Sequence, residues 1–164
     1  MGRIIAIDYG RKRTGIAVTD TLQIIANGLC TVPSSEAAEF LANYVSREKV
    51  DLFVVGQPKQ MNNQPSENMQ QVTAFVNRLR KVIPEIPIEY ADERFTSVMA
   101  HQAMIDGGLR RKRRQDKALV DVISATLILQ GYLLARADLQ SVRPDARIAN
   151  PREQNKSREQ NRTF

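Results

Sequence analysis

The stretch Arg3-Ile4-Ile5-Ala6-Ile7-Asp8-Tyr9-Gly10 decides the fold. Arg3 to Ile7 is short, rich in β-formers and without a helical period, so it reads as a buried strand. Asp8 falls at or just past the strand's end. Gly10 permits a backbone turn or a close approach that a side chain would block. A carboxylate held at the mouth of a sheet suits metal or phosphate chemistry. It can equally cap a turn, and the rest of the chain must decide between the two.

Working outward, Arg13 to Thr19 predicts a second strand, joined to the first as an antiparallel hairpin across Tyr9–Lys12. Gln23 to Val32 predicts a third, interrupted near Asn27-Gly28 by a turn or a bulge. Cys30 reads as a small packed residue of that strand. Pro33-Ser34-Ser35-Glu36 opens a helix, with Ser34 or Ser35 as cap and Glu36 favouring the helix dipole. Ala37, Phe40, Leu41, Tyr44 and Val45 then mark one helical face. The apolar run Leu52–Gly56 predicts a central, parallel strand reached by a crossover. Gln57–Pro65 is a polar loop, and Ser66 caps a long helix with Met69, Val72, Val76, Leu79 and Ile83 as its buried stripe. Ile86 to Ala91 is the last strand, followed by Asp92-Glu93-Arg94. Thr96 or Ser97 caps a short helix through Ile105, stopped by Asp106-Gly107-Gly108. Residues 116–138 predict a final helix, apolar on most faces and therefore buried. This order implies an α/β fold: an antiparallel meander leading into parallel crossovers, a mixed sheet covered by helices.

The chain has 164 residues, 42% hydrophobic and 26% charged, an ordinary soluble globular composition with room for one core. No uninterrupted apolar run reaches the roughly 18 residues of a membrane span. No export signal is visible, so a cytoplasmic protein is expected. Cys30 is the single cysteine, which excludes an intramolecular disulfide and a multi-cysteine zinc site. A net charge of +6 and a pI of about 9.8 favour a polyanionic partner such as nucleic acid or ribosomal material. Residues 139–164 carry six basic against three acidic residues and little apolar content, and read as a basic, disordered tail. Residues 1–138 are the folded domain, and within them Arg110-Arg111-Lys112-Arg113-Arg114 is a dense cationic block.

Three carboxylates stand out by position: Asp8 ending the first strand, Glu93 after the last, and Asp121 in the final helix. Asp121 is flanked by Leu119, Val120, Val122 and Ile123, and a buried carboxylate needs a cation or strong hydrogen bonds. An exposed Lys117–Asp121 pair is the plainer reading. If the three converge, they form an oxygen-rich site suited to Mg²⁺ or Mn²⁺. Two such ions about 4 Å apart can activate water and stabilise the leaving oxygen of a phosphodiester.

Asp8-x-Gly10-x-x-Arg13-x-Gly15-Ile16-Ala17, Val55-Gly56-x-Pro58, Asp92-Glu93-Arg94-Phe95-Thr96-Ser97 and Asp121-x-x-Ser124-Ala125-x-x-Ile128-Leu129 together resemble the YqgF, or RuvX, family, over about residues 1–138. The resemblance implies an RNase H-like fold related to the RuvC resolvases, with a five-stranded mixed sheet and helices on both faces. It also implies that Asp8, Glu93 and Asp121 form the active-site triad. The family carries two descriptions: a Holliday junction resolvase, and a nuclease maturing the 5′ end of the 16S ribosomal RNA precursor. Gln57 stands where the family usually has Leu, and Asn63 lies where Gly is common; both touch the loop after the central strand rather than the triad.

The candidate roles follow. Asp8 bridges the metals, with Glu93 and Asp121 as outer ligands. Arg11, Lys12 and Arg13 grip the backbone near the cleaved bond, or form a solvated turn. Arg94 meets a phosphate or neutralises Glu93. Arg110, Arg111, Lys112, Arg113 and Arg114 bind nucleic-acid backbone, or form a solvated linker. Thr96 and Ser97 are caps rather than nucleophiles, and His101 is a surface or packing residue. Aromatics are only 5% of the chain, which favours recognition of structured nucleic acid by backbone and shape over base stacking. The expected partners are structured RNA, branched DNA or ribosomal precursor particles, with no membrane, and the protein is a monomer or weak homodimer. The rival functions are an actin-like or sugar-kinase-type phosphotransferase, which normally needs a second domain, and a non-catalytic RNA-binding ribosome-assembly factor.

Overall fold

The computed structural model describes residues 1–57, 68–92 and 102–141. Five strands form one sheet: β1 (Arg3–Tyr9), β2 (Arg13–Thr19), β3 (Ala26–Pro33), β4 (Val50–Gln57) and β5 (Ile88–Asp92), in the order β3-β2-β1-β4-β5. β2 runs antiparallel to both β1 and β3, while β4 runs parallel to β1 and β5. β1 is therefore the middle strand, and its unbroken apolar run has a reason: both faces are covered.

Side chains alternate across the sheet, so β1 feeds two separate cores. Ile5 and Ile7, with Ile16, Phe53 and Val55, pack against α1 (Ala37–Arg47) and α2 (Met69–Val82) through Leu41, Val72, Phe75, Val76 and Leu79. Ile4 and Ala6, with Ala17 and Val54, pack on the other side against Ala125, Ile128 and Leu129 of the long helix. Two short helical segments precede that helix, residues 102–106 and α3 (Arg111–Arg114), and the long helix itself is α4 (Lys117–Ser141). Residue contacts divide the chain into one compact unit, Met1–Leu134, and a second, Ala135–Phe164.

Several local expectations change. β3 begins at Ala26, not Gln23. Residues 20–25 form a loop tied to Asp20, whose Oδ1 accepts from the Ile24 and Ile25 N–H groups at 2.8 Å and whose Oδ2 accepts from Leu22 N–H at 3.1 Å. The Ile25 N–H, then that of Ile24, holds the Asp20 carboxyl below its ordinary pKa. The irregularity at Asn27-Gly28 is a bulge: Ile16 pairs with Cys30 and Ala17 with Gly28, leaving Leu29 unmatched. Neither Ser34 nor Ser35 caps α1. Ser34–Glu36 form a 3₁₀ turn without a side-chain cap, because the Ser34 hydroxyl donates to Gly10 C=O at 2.6 Å and meets Thr14 Oγ1 at 2.9 Å. It ties the helix entry to the hairpin instead. Burial raises the pKa of the Cys30 thiol, as suits a packed residue.

The basic block is not all loop, since Arg111–Arg114 make one helical turn. α4 also departs from expectation. Only Ser124, Ala125, Ile128 and Leu129 are buried, so one face rather than most of the helix is covered. By length and composition α4 would suffice to cross a membrane, although Asp121 and Gln130 interrupt its apolar runs. Its buried face is spent on the sheet, as in the core helix of a globular fold. The loop through Pro65, the cap at Ser66, residues Thr96, Ser97 and His101, and the tail beyond 141 lie outside the described residues.

Candidate active site at the end of the central strand

Asp8 is the sixth residue of β1 and belongs to the same alternate set as Ile4 and Ala6, the set that faces α4. In the β1–β2 ladder it pairs with Gly15. A glycine inside a strand marks a bulge or a close approach of another backbone, and here it is the second. A Cβ on Gly15 would stand 2.0 Å from the carbonyl oxygen of Asp121 and 3.2 Å from its Cα. The first turns of α4 therefore rest directly on β2, beside Asp8. A second small residue extends the seat: a Cβ on Gly28 would stand 2.5 Å from Val122 Cγ1. Thr31 Oγ1 donates to Ala118 C=O at 2.6 Å, fastening the start of α4 to β3.

Three contacts thus set where Asp121 sits. Its carboxylate is 23% exposed and accepts from Arg13 Nε at 2.9 Å. The partner is Arg13 from the hairpin, not Lys117 one turn away on α4. Sequence spacing hides this pair because 108 residues separate its members. The legible signal was Gly15, a glycine in a strand otherwise rich in β-formers.

The start of α4 is also capped. Asp116 Oδ1 accepts from Ala118 N–H at 3.0 Å and Leu119 N–H at 3.4 Å. Asp116→Ala should cost about 1 kcal/mol, the usual worth of an N-cap, read as a lower urea midpoint with an unchanged slope.

The hairpin turn closes through Gly10 N–H donating to Arg13 C=O at 3.0 Å. It leaves Arg11 and Lys12 exposed next to Asp8 in sequence, while Arg13 is half-buried by its pairing with Asp121. Arg110, Arg111, Lys112 and Arg113 are exposed just before α4. β5 ends at Asp92, paired with Gln57 of β4 at the same end of the parallel strands as Asp8. Its alternate residues face α4: Ala91 packs in that core, and Glu89 Oε2 accepts from the Tyr132 hydroxyl at 2.6 Å. Glu93 and Arg94, expected at this end, lie outside the described residues. Among the described residues, no three His, Cys, Asp or Glu side chains gather into a metal-ligating group. The structure pairs Arg13 with Asp121 and sets the Asp121 backbone on Gly15, the residue opposite Asp8 in the ladder.

A mixed five-stranded sheet with helices on both faces and an acidic residue at the end of its central strand is an RNase H-like α/β protein. The solved fold agrees. The RuvC of T. thermophilus in complex with a Holliday junction substrate superposes with a TM-score of 0.52, covering 84% of this chain and 96% of that one, at 14% identity. The family model described as "RuvX: Holliday junction resolvase" matches residues 2–135. The chain belongs to the RuvX family. Relatives named "Putative pre-16S rRNA nuclease" are 69% identical in Parabacteroides distasonis, 67% in Phocaeicola vulgatus and 55% in Flavobacterium psychrophilum, each over 133 residues. These alignments cover 81% of this chain and 95%, 96% and 97% of the respective relatives.

Proposed function

We propose that this chain is a divalent-metal-dependent endonuclease that hydrolyses phosphodiester bonds in the cytoplasm, processing the 5′ end of the 16S ribosomal RNA precursor. The observation that supports the reading is that the Asp121 backbone rests on Gly15, the ladder partner of Asp8. Strand ladder, glycine seat and helix cap set the backbone of Asp121 beside that of β1, which supports pairing the two carboxylates in one site. The names of the relatives supply the RNA substrate. The family description supplies the second reading, cleavage of a four-way DNA junction.

The residues fit Mg²⁺ or Mn²⁺. Asp8 and Asp121 offer hard oxygen donors, and Asp121 already holds one cationic group. Glu93, the residue following β5, completes the proposed ligand set. When bound, the metal supplies an activated water and charge neutralisation at the phosphate. The protein's own groups do the rest. β1 fixes Asp8 with no freedom beyond its side chain. Arg13 holds the Asp121 carboxylate in place and lends positive charge where a phosphate would approach. Arg11, Lys12 and Arg94 are proposed to grip the backbone near the cut, and Arg110, Arg111, Lys112, Arg113 and Arg114 to grip it further along.

Such contacts release counterions, so log affinity should fall linearly with log salt. Replacing Arg110, Arg111 and Arg113 by Ala should flatten that slope by roughly 0.8 per phosphate contact removed. Fluorescence anisotropy of a labelled precursor RNA between low and moderate KCl measures it. An unchanged slope would remove the block from the interface. Cleavage and binding should be measured together on precursor RNA and on a four-way junction. Binding without cleavage in either metal would favour an assembly factor over a nuclease.

A further inference from the structure

On the sheet face opposite Asp8, a cavity of about 270 Å³ opens between α1, α2 and the end of β1. Its floor is aromatic: Tyr9 lies on Phe75 with ring centroids 4.4 Å apart and planes 16° off parallel. Its rim is polar, with Ser35, Gln71 and the guanidinium-bearing Arg78 all lining it. Gln71 and Arg78 are seven residues apart on α2, which sets them on one helical face two turns apart. Gln71 is half-buried, while Ala74 and Arg78 are exposed. The volume lies just below the range of about 300 Å³ upward that takes drug-sized ligands, so it suits a smaller planar group.

Tyr9 directly follows Asp8, and the two project to opposite faces of the same strand end. Asp8 and the cavity therefore share the same end of the central strand, on its two faces. The lining matches one unpaired nucleotide: an aromatic wall for the base, the Gln71 amide and Ser35 hydroxyl for its edge, and Arg78 for a phosphate. We propose that this cavity seats a single unpaired nucleotide of the substrate strand, close to the scissile one. The proposal rests on the nuclease reading above. It gives the protein a means of selecting substrates with a single-stranded segment beside the cut, which a backbone grip alone cannot do.

The test uses the full chain and a short single-stranded RNA carrying one 2-aminopurine. Wild type should quench the probe on binding, as the base stacks. Gln71→Ala, Arg78→Ala and the cavity-filling Ala74→Leu should each weaken binding about tenfold, in line with the worth of one stacked base. The quench should disappear in Ala74→Leu. Arg78→Ala should also flatten the salt slope by about 0.7, whereas Gln71→Ala should leave it unchanged. In cleavage, all three should raise KM and leave kcat within about twofold, a loss of uniform binding. Circular dichroism should show all three folded, since Ala74 and Arg78 are exposed and Gln71 is only half-buried. Wild-type affinity and quench in folded variants that still cleave would overturn the cavity's role and leave the nuclease standing. A wild type that neither binds nor cleaves nucleic acid would overturn both.

Discussion

Asp8→Asn should fold as the wild type does and cleave its substrate more than a hundredfold slower. The bound is conservative, because changing groups that merely support a metal ligand already costs about 10–100-fold. Asn keeps the shape of Asp and loses the charge that holds a hard cation. The β1–β2 pairing at this position is made by backbone, Asp8 opposite Gly15, and does not depend on the carboxylate. The variant's denaturation midpoint should therefore stay close to that of wild type. The measurement is single-turnover cleavage in Mn²⁺ with a parallel urea melt. Cleavage within tenfold of wild type by the folded variant would remove Asp8 from the chemistry.

Gly15→Ala should fail for the opposite reason, through structure first. Its Cβ would stand 2.0 Å from the Asp121 carbonyl oxygen, a backbone atom that can yield only if α4 moves. Overpacking of this kind costs about 1–3 kcal/mol, and a rigid helix backbone places it at the upper end. The same shift would pull Asp121 away from Asp8 and from Arg13, so activity should fall even where the variant remains folded. Gly131→Ala is the control. Nothing lies within 4 Å of its added Cβ, and the site is on the exposed face of α4. Alanine there should stabilise by up to about 1 kcal/mol through helix propensity alone. Equal midpoints for the two variants would mean that α4 does not rest on β2 as described.

These two substitutions also mark what the sequence made legible. The position of Asp8 at the end of β1 could be read directly, because an apolar run ending in a carboxylate and a turn glycine has one simple geometry. The order of elements and the mixed sheet followed from periodicity, Ile4 to Ile7 without a polar break and then helical stripes, while helices on both faces were what the family resemblance implied. Asp121 was visible as a charge among apolar neighbours, but its partner was not. Arg13 reaches it only because the hairpin and the start of α4 are packed together, and no local spacing encodes that. The cap at Ser34 or Ser35 was misread for a related reason. A serine before a helix ordinarily serves the helix, but the Ser34 hydroxyl is held by Gly10 and Thr14 of the hairpin. Tertiary contact overrode a local preference. The extent of burial along α4 was overestimated because apolar composition does not say how many faces find a neighbour.

The most direct measurement of the central claim is cleavage of a 5′-extended 16S precursor RNA by the purified chain in Mn²⁺, with and without chelator. The account predicts a defined cut near the mature 5′ end that disappears in EDTA and returns when Mn²⁺ is restored. Precursor RNA left intact in Mn²⁺, or cut equally well in EDTA, would contradict it.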